Sequence, residues 1–301
     1  MDAPPAPLET DASILSFAEA TSTSRTVNGV RLHAVTAGDA DDPLVVLLHG
    51  FPEFWYAWRE QIEPLVEAGY RVVVPDQRGY NLSEKPQDVR AYQLRDLSRD
   101  IVDLIASEGR ETAHVVGHDW GGAVGWDLAL RYPDVVDRLA IINAPHPVAF
   151  RQQLASNPEQ LRRSWYVLAF QLPWLPEGLC RVGDFRLLER ALRETASPRN
   201  VRRSGAGSLP SGLGTGGRAH RDAELVPGAR TLPAGRAAGP PLEQPTVVVW
   251  GEEDEALVPE LGLASVQFCE RGRLERLPET SHWVPHEEPE RTTDLLLDHL
   301  R

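Results

Sequence analysis

Short, continuous apolar runs constrain this chain more than any other feature: Leu44–Leu48, Arg71–Pro75 and residues 114–117, 139–143 and 246–250. Each is rich in Val, Ile or Leu, without the apolar–polar alternation of a strand that has one wet face. Runs of this kind suit strands covered on both sides, the usual state of a parallel sheet. Helical patterns lie between the first four. The clearest spans residues 92–107, where Leu94, Leu97, Ile101, Leu104 and Ile105 share one face. Alternating strand and helix predicts an α/β fold with a mostly parallel, doubly wound sheet. Further strands are expected at Val30–Ala37 and at residues 273–277.

The alternation stops after residue 143 and resumes at Thr246. Residues 144–242 therefore read as a helical cap inserted between two halves of one core, 26–143 and 243–301. Residues 1–25, rich in Pro, Ala, Ser and Thr, read as a poorly ordered leader. Inside the cap, residues 203–241 hold nine glycines and five prolines, with no Phe, Trp or Tyr. Such a stretch buries too little apolar surface to offset its ordering entropy, so irregular structure is expected. Its sharp end at Pro241-Leu242-Glu243 is what two compensating shifts of reading frame would leave.

A net charge of −13 argues against nucleic acid as a partner, since phosphate backbones call for clustered Lys and Arg. No apolar run approaches the roughly 20 residues of a membrane helix, and the first residues lack the basic and apolar regions of a signal peptide. A cytoplasmic monomer or homodimer is the expectation. Cys180 and Cys269 are too few for a disulfide scaffold and have no ligand-like spacing. His282 and His286 stand four apart, but Pro285 disfavours a regular helix between them and no third ligand is apparent. Neither a metal nor a cofactor is expected.

The run at residues 114–116 leads into Gly117-His118-Asp119-Trp120-Gly121-Gly122, and a helical pattern follows. This is a small-x-nucleophile-x-small turn between strand and helix, so tight that small residues must flank the nucleophile. The central residue is Asp, whose carboxylate needs no base to attack an sp³ carbon and form an alkyl ester. The motif alone is equally compatible with Asp119 capping the following helix. Context moves the balance. Leu44–Leu48 runs into His49-Gly50-Phe51-Pro52, where the N–H of Phe51 can join that of Trp120 as an oxyanion-binding pair. Beyond residues 246–250 comes Gly251-Glu252-Glu253-Asp254, and beyond 273–277 comes Ser281-His282-Trp283. Nucleophile, acid and base thus fall in chain order, each past the carboxyl end of a strand. His282 would deprotonate the hydrolytic water, and Glu252, Glu253 or Asp254 would orient it. His49 and His118 are read as residues that orient loops. His33, His114, His146, His220, His286 and His299 are read as structural or exposed.

Taken together, these segments resemble the epoxide hydrolases of the α/β-hydrolase superfamily. The matching text is His49 through Tyr56, Asp76-Gln77-Arg78-Gly79-Tyr80, Gly117 through Gly122, Trp250 through Leu257 and Ser281 through Pro289, with Trp165-Tyr166 and Phe170-Gln171-Leu172-Pro173 in the cap. The resemblance implies Asp119 as nucleophile, His282 as base, Asp254 as charge partner, and Phe51 and Trp120 as the oxyanion hole. It also implies Tyr166 as the acid that protonates the epoxide oxygen. Phe51, Trp120, Trp165 and Trp174 suggest an apolar pocket for a small apolar epoxide. The chain departs from the family in one respect: a second cap tyrosine is usual, and Tyr166 is the last tyrosine here. Two alternatives remain. A haloalkane dehalogenase shares the aspartate nucleophile, although Phe51 stands where many of those enzymes place a halide-binding Asn. The other is a non-catalytic protein with an impaired lid.

Overall fold

The computed structural model describes residues 20–164 and 240–301. Eight strands form one sheet: β1 Thr21–Val27, β2 Val30–Ala37, β3 Leu44–Leu48, β4 Arg71–Pro75, β5 Ala113–His118, β6 Val136–Ile142, β7 Thr246–Gly251 and β8 Gly272–Leu277. Their order is β1-β2-β4-β3-β5-β6-β7-β8. β1 pairs with β2, and β2 with β4, in antiparallel sense; every other pairing is parallel. The expected strands lie where the apolar runs placed them, their ends displaced by a few residues.

The inner strands are apolar almost throughout because both faces are covered. Val46, Leu48, Val115, Leu139, Ile141, Val248 and Trp250 face a core completed by Ile101, Leu104, Trp126 and Leu128. Their neighbours Val45, Leu47, Val116, Ala140, Ile142, Val247 and Val249 face the other core, with Trp58, Ile62, Leu65 and Leu296. The first core takes its helical side from α2 (Leu94–Ser107) and α3 (Trp120–Arg131). The second takes its side from α1 (Arg59–Glu67) and α8 (Pro289–Leu300). The remaining helices are α4 (Pro147–Ser156), α5 (Pro158–Arg163), α6 (Glu260–Val266) and α7 (Val284–Glu287). The helix expected from residue 92 begins at Leu94; a 3-10 turn, Val89–Tyr92, precedes it and Gln93 is extended.

One expectation is corrected. The leader assigned to residues 1–25 ends sooner, because Thr21–Val27 pairs along its whole length with β2. Its sequence, TSTSRTV, sits mostly exposed on the sheet edge, so it lacks the apolar signature of the inner strands. Of the expected cap, residues 165–239 lie outside the described residues, and with them Tyr166, Trp165, Trp174 and the Gly/Pro-rich stretch.

β3 lies between β4 and β5, so the chain leaves β3 on one side and returns on the other. A crevice opens beyond the carboxyl ends of strands at such a reversal. The loop after β4 walls it. Asp76 accepts from Trp55 N (3.0 Å), Asn81 Nδ2 (2.8 Å) and His33 Nδ1 (2.6 Å), and the far nitrogen of His33 meets Ser22 Oγ at 2.7 Å. Arg78 reaches across to α2, donating to both carboxylate oxygens of buried Asp100 at 2.8 and 2.5 Å.

Removing the guanidinium would leave the Asp100 charge buried with only Asn28 Nδ2 (2.9 Å) beside it. Breaking one side of a buried pair typically costs about 3–5 kcal/mol. Arg78→Met is therefore expected to lose stability of that order in urea denaturation. A loss below about 1 kcal/mol would show the pair to be no more than a surface contact.

Candidate active site

Asp119 stands where β5 turns into α3, with φ 52° and ψ −119°, a region that non-glycine residues rarely occupy. The turn is held by Asp119 N donating to Ile142 O (3.2 Å) and Ala123 N donating to Asp119 O (3.0 Å). Its flanking glycines are steric necessities. A Cβ on Gly117 would lie 2.4 Å from Gly121 O, and one on Gly121 would lie 2.2 Å from Leu48 O. That second approach sets the start of α3 against the end of β3.

As a result two backbone N–H groups converge on one carboxylate oxygen. Phe51 N donates to Asp119 Oδ2 at 3.2 Å, and Trp120 N donates to the same atom. The helix-cap reading and the nucleophile reading are thus not exclusive, since one of these donors is the first N–H of α3. The other oxygen, Oδ1, faces His282 Nε2 at 3.2 Å. The Asp119 side chain keeps 23% exposure against 11% for His282 and none for Asp254. Among the three, the proposed nucleophile is the one open to an incoming molecule.

Of the three acids left open by the sequence, Asp254 is the one on the histidine. Its Oδ2 accepts from His282 Nδ1 at 2.6 Å and from Asn143 Nδ2 at 2.7 Å. Its Oδ1 accepts the N–H groups of Ala256 (2.8 Å) and Leu257 (3.0 Å). Glu252 pairs outward with Arg276 at 3.2 Å, and Glu253 is exposed. Burial by itself would raise the Asp254 pKa, but the charge of His282 and the hydrogen bonds from His282, Asn143 and Ala256 outweigh it and hold the carboxyl low. Burial likewise works to lower the His282 pKa. The charge of Asp254, then hydrogen bonds to Asp119 and Asp254, outweigh that and hold it well above the ordinary imidazole value. The His282 ring therefore lies between two carboxyl groups that favour its protonated form.

Behind His282 lies a second set of paired carboxyl and imidazole groups, whose connection through Glu53 the sequence reading did not make. His118 Nε2 donates to the His282 carbonyl at 2.9 Å, while its Nδ1 is 3.5 Å from Glu53 Oε2. Glu53 Oε1 accepts from His286 Nε2 at 2.5 Å, and Arg59 donates to the far nitrogen of that ring at 3.2 Å. Burial favours the neutral Glu53, but its interactions with His286 first and His118 second prevail, and its carboxyl is held well below the usual range. On the other wall His49 is buried and accepts from Gln77 N at 3.0 Å. Burial, opposed mainly by Asp76, lowers its pKa. His33 and His299 are buried structural residues, and His146 caps α4. His220 lies outside the described residues.

Asn143, also missed, closes the acid side. Besides Asp254 it donates to Gly251 O (3.3 Å) and accepts from Gly251 N (2.8 Å). Glu287 does the same for the base, accepting Ser281 N (2.8 Å) and Ser281 Oγ (2.7 Å) just before His282. The one local signal for Asn143 was a polar residue closing an apolar strand, as at the other site positions. Among the described residues no group of three His, Cys, Asp or Glu could hold a metal ion. Nor is any described helix long and apolar enough to cross a membrane.

The chain matches the profile of the α/β hydrolase fold over residues 43–289. It is 40% identical over 284 residues to the AB hydrolase superfamily protein YfhM of Bacillus subtilis, covering 91% of this chain and 96% of that one. It is 34% identical over 284 residues to epoxide hydrolase 4 of Homo sapiens, covering 91% and 76% respectively. Among solved structures, a mutant of an epoxide hydrolase from Bacillus megaterium superimposes with a TM-score of 0.80 at 28% identity, covering 92% of this chain and 99% of that one. Epoxide hydrolase A from Mycobacterium thermoresistibile gives 0.74 at 29% identity, with 94% and 98% covered.

The raised His282 pKa makes a stability prediction with a definite sign. A group whose pKa is higher folded than unfolded contributes fully below its unfolded value, about 6.5, and loses that contribution as pH climbs through the folded value. The stability advantage of the native protein over His282→Gln, measured by urea denaturation, should shrink as the pH is raised above about 6.5. A gap that stays constant or widens would contradict the charge assignment.

Proposed function

This chain belongs to the α/β-hydrolase family and groups with its members named epoxide hydrolases, and on that premise we propose that it opens a small apolar epoxide to a vicinal diol through an ester on Asp119. One observation carries the reading: the two oxygens of Asp119 are in different states. Oδ2 is occupied by the N–H groups of Phe51 and Trp120, whereas Oδ1 has only the imidazole edge of His282 at 3.2 Å.

On this reading Oδ1 is the atom that attacks a ring carbon from behind. The C–O bond of the epoxide breaks, and the alkoxide takes a proton from an acid, the role assigned to Tyr166. Esterification removes the charge of Asp119. One of the influences that raise the His282 pKa then disappears, and the imidazolium can release its proton to become a base. A water beside Nε2 gives up a proton to it and attacks Cγ. Negative charge gathers on Oδ2, where the Phe51 and Trp120 N–H groups already point. The tetrahedral adduct collapses, the Cγ–Oδ1 bond breaks, and the imidazolium protonates the departing diol oxygen. Asp119 is left with one oxygen from water, and its new carboxyl proton passes to His282. The proton that His282 released earlier restores the acid, and the sum is epoxide plus water to diol. Asp254 fixes the ring so that Nε2, not Nδ1, is the working atom.

Incubation with a styrene-oxide-like epoxide should add the mass of one substrate to the peptide containing Asp119. Asp119→Asn should lose diol formation by at least about 10⁴-fold, with the fold retained by circular dichroism. Undiminished turnover by that variant would sink the mechanism. Halide release from a matched chloroalkane, faster than diol formation from the epoxide, would move the assignment to a dehalogenase.

A further inference from the structure

The segment that carries Asp254 has no sheet ladder of its own: residues 254–258 run between β7 and α6 outside any strand or helix. Its carboxylate is fixed from the core by Ala256 N, Leu257 N, Asn143 and His282. Its backbone is fixed from the opposite side by α5, which lies between β6 and β7. Arg163 Nη1 donates to the Asp254 carbonyl at 2.6 Å. Gln160 Nε2 donates to the Ala256 carbonyl at 3.0 Å, and Gln160 Oε1 accepts from Val258 N at 2.8 Å.

Gln160 is completely buried. Its remaining amide hydrogen goes to Ser164 Oγ at 2.7 Å, so the amide is satisfied only while the loop lies against it. A buried amide deprived of its partners is costly, and this makes the grip selective for one loop position. Glu159 Oε1 holds Arg163 Nε at 2.9 Å and so aims the guanidinium at the loop. Three backbone groups within five residues are thereby pinned by two side chains of one short helix.

We propose that Gln160 and Arg163 are positioning residues for the acid–base pair: by pinning the Asp254 loop they set the Asp254 carboxylate against His282 Nδ1 and so govern ester hydrolysis. This rests on the reading of Asp119 as nucleophile and His282 as base. Formation of the ester needs the Asp119 carboxylate and its two N–H donors, none of which α5 touches. Hydrolysis needs a neutral, correctly turned imidazole, and that depends on a 2.6 Å contact that a shifted loop would lengthen. The two half-reactions should therefore part company when the grip is removed.

Single-turnover kinetics with a styrene-oxide-like epoxide, following the ester by mass spectrometry, tests this on Gln160→Leu, Arg163→Met, Arg163→Lys and Asp119→Asn. Gln160→Leu and Arg163→Met should slow hydrolysis on the order of 10²-fold, the penalty of a roughly 1 Å misplacement, and ester should accumulate. Ester formation should stay close to the native rate, and the pH midpoint of hydrolysis should move. Arg163→Lys, which keeps a donor for the Asp254 carbonyl, should recover most of the loss. Equal slowing of both half-reactions overturns the proposal, as does hydrolysis at native rate and pH midpoint in folded variants. If Gln160→Leu does not fold, the two Arg163 variants decide alone. If the native protein forms no ester, or Asp119→Asn turns over normally, the nucleophile reading falls and takes the positioning role with it.

Discussion

A carboxylate at the mouth of the crevice has one oxygen under two backbone N–H groups and the other against an imidazole, and much of the molecule is arranged to keep it so. The donors come from the ends of two different strands, and the imidazole comes from the far end of the sheet. Parallel pairing of β3 with β5, and of β5 through β8, is what brings those ends into one plane. The turn itself is unfavourable, since Asp119 sits at φ 52° and such backbone states cost on the order of 1–3 kcal/mol. It persists because glycines at 117 and 121 let β5, α3 and β3 approach to backbone contact.

Acidic and imidazole side chains alternate around the site. Asp119 and Asp254 flank His282; Glu53 lies between His118 and His286. Asp119, Asp254 and Glu53 thus each face at least one imidazole, which offsets part of the cost of their desolvation. The two sets meet where His118 donates to the His282 carbonyl. His282 is therefore fixed at its ring by Asp254, at its backbone by His118, and at the residue before it by Glu287. Fixation at three points suits the proton-carrying role proposed for it.

The inner strands were legible because burial on both faces forces an unbroken apolar run, a signal that survives without any knowledge of partners. β1 was not, because an exposed edge strand of alternating Thr and Ser resembles a polar leader and is identified by its pairing with β2. Glu53, Asn143 and Gln160 were invisible for a related reason. Each is an ordinary polar residue whose meaning lies in a partner remote in sequence: Asn143 and Gln160 reach Asp254 and Ala256 across about a hundred positions.

By itself, then, the sequence supplied grounds for the doubly wound sheet, for a tight turn at Asp119 and for Asp119, Asp254 and His282 falling in chain order past strand ends. Those follow from hydrophobic periodicity and from the sterics of a glycine-flanked turn, both of which act between near neighbours. Chain order alone left Glu252 and Glu253 open beside Asp254, which the family resemblance favoured. The tertiary structure gives the physical reason for that preference, since adjacent side chains on one loop point in different directions. Asp254 is the one turned into the core, toward Asn143 and His282, while Glu252 meets Arg276 at the surface. Direction at the end of a strand is set by what packs against the loop, and here part of that packing comes from α5, a helix between β6 and β7.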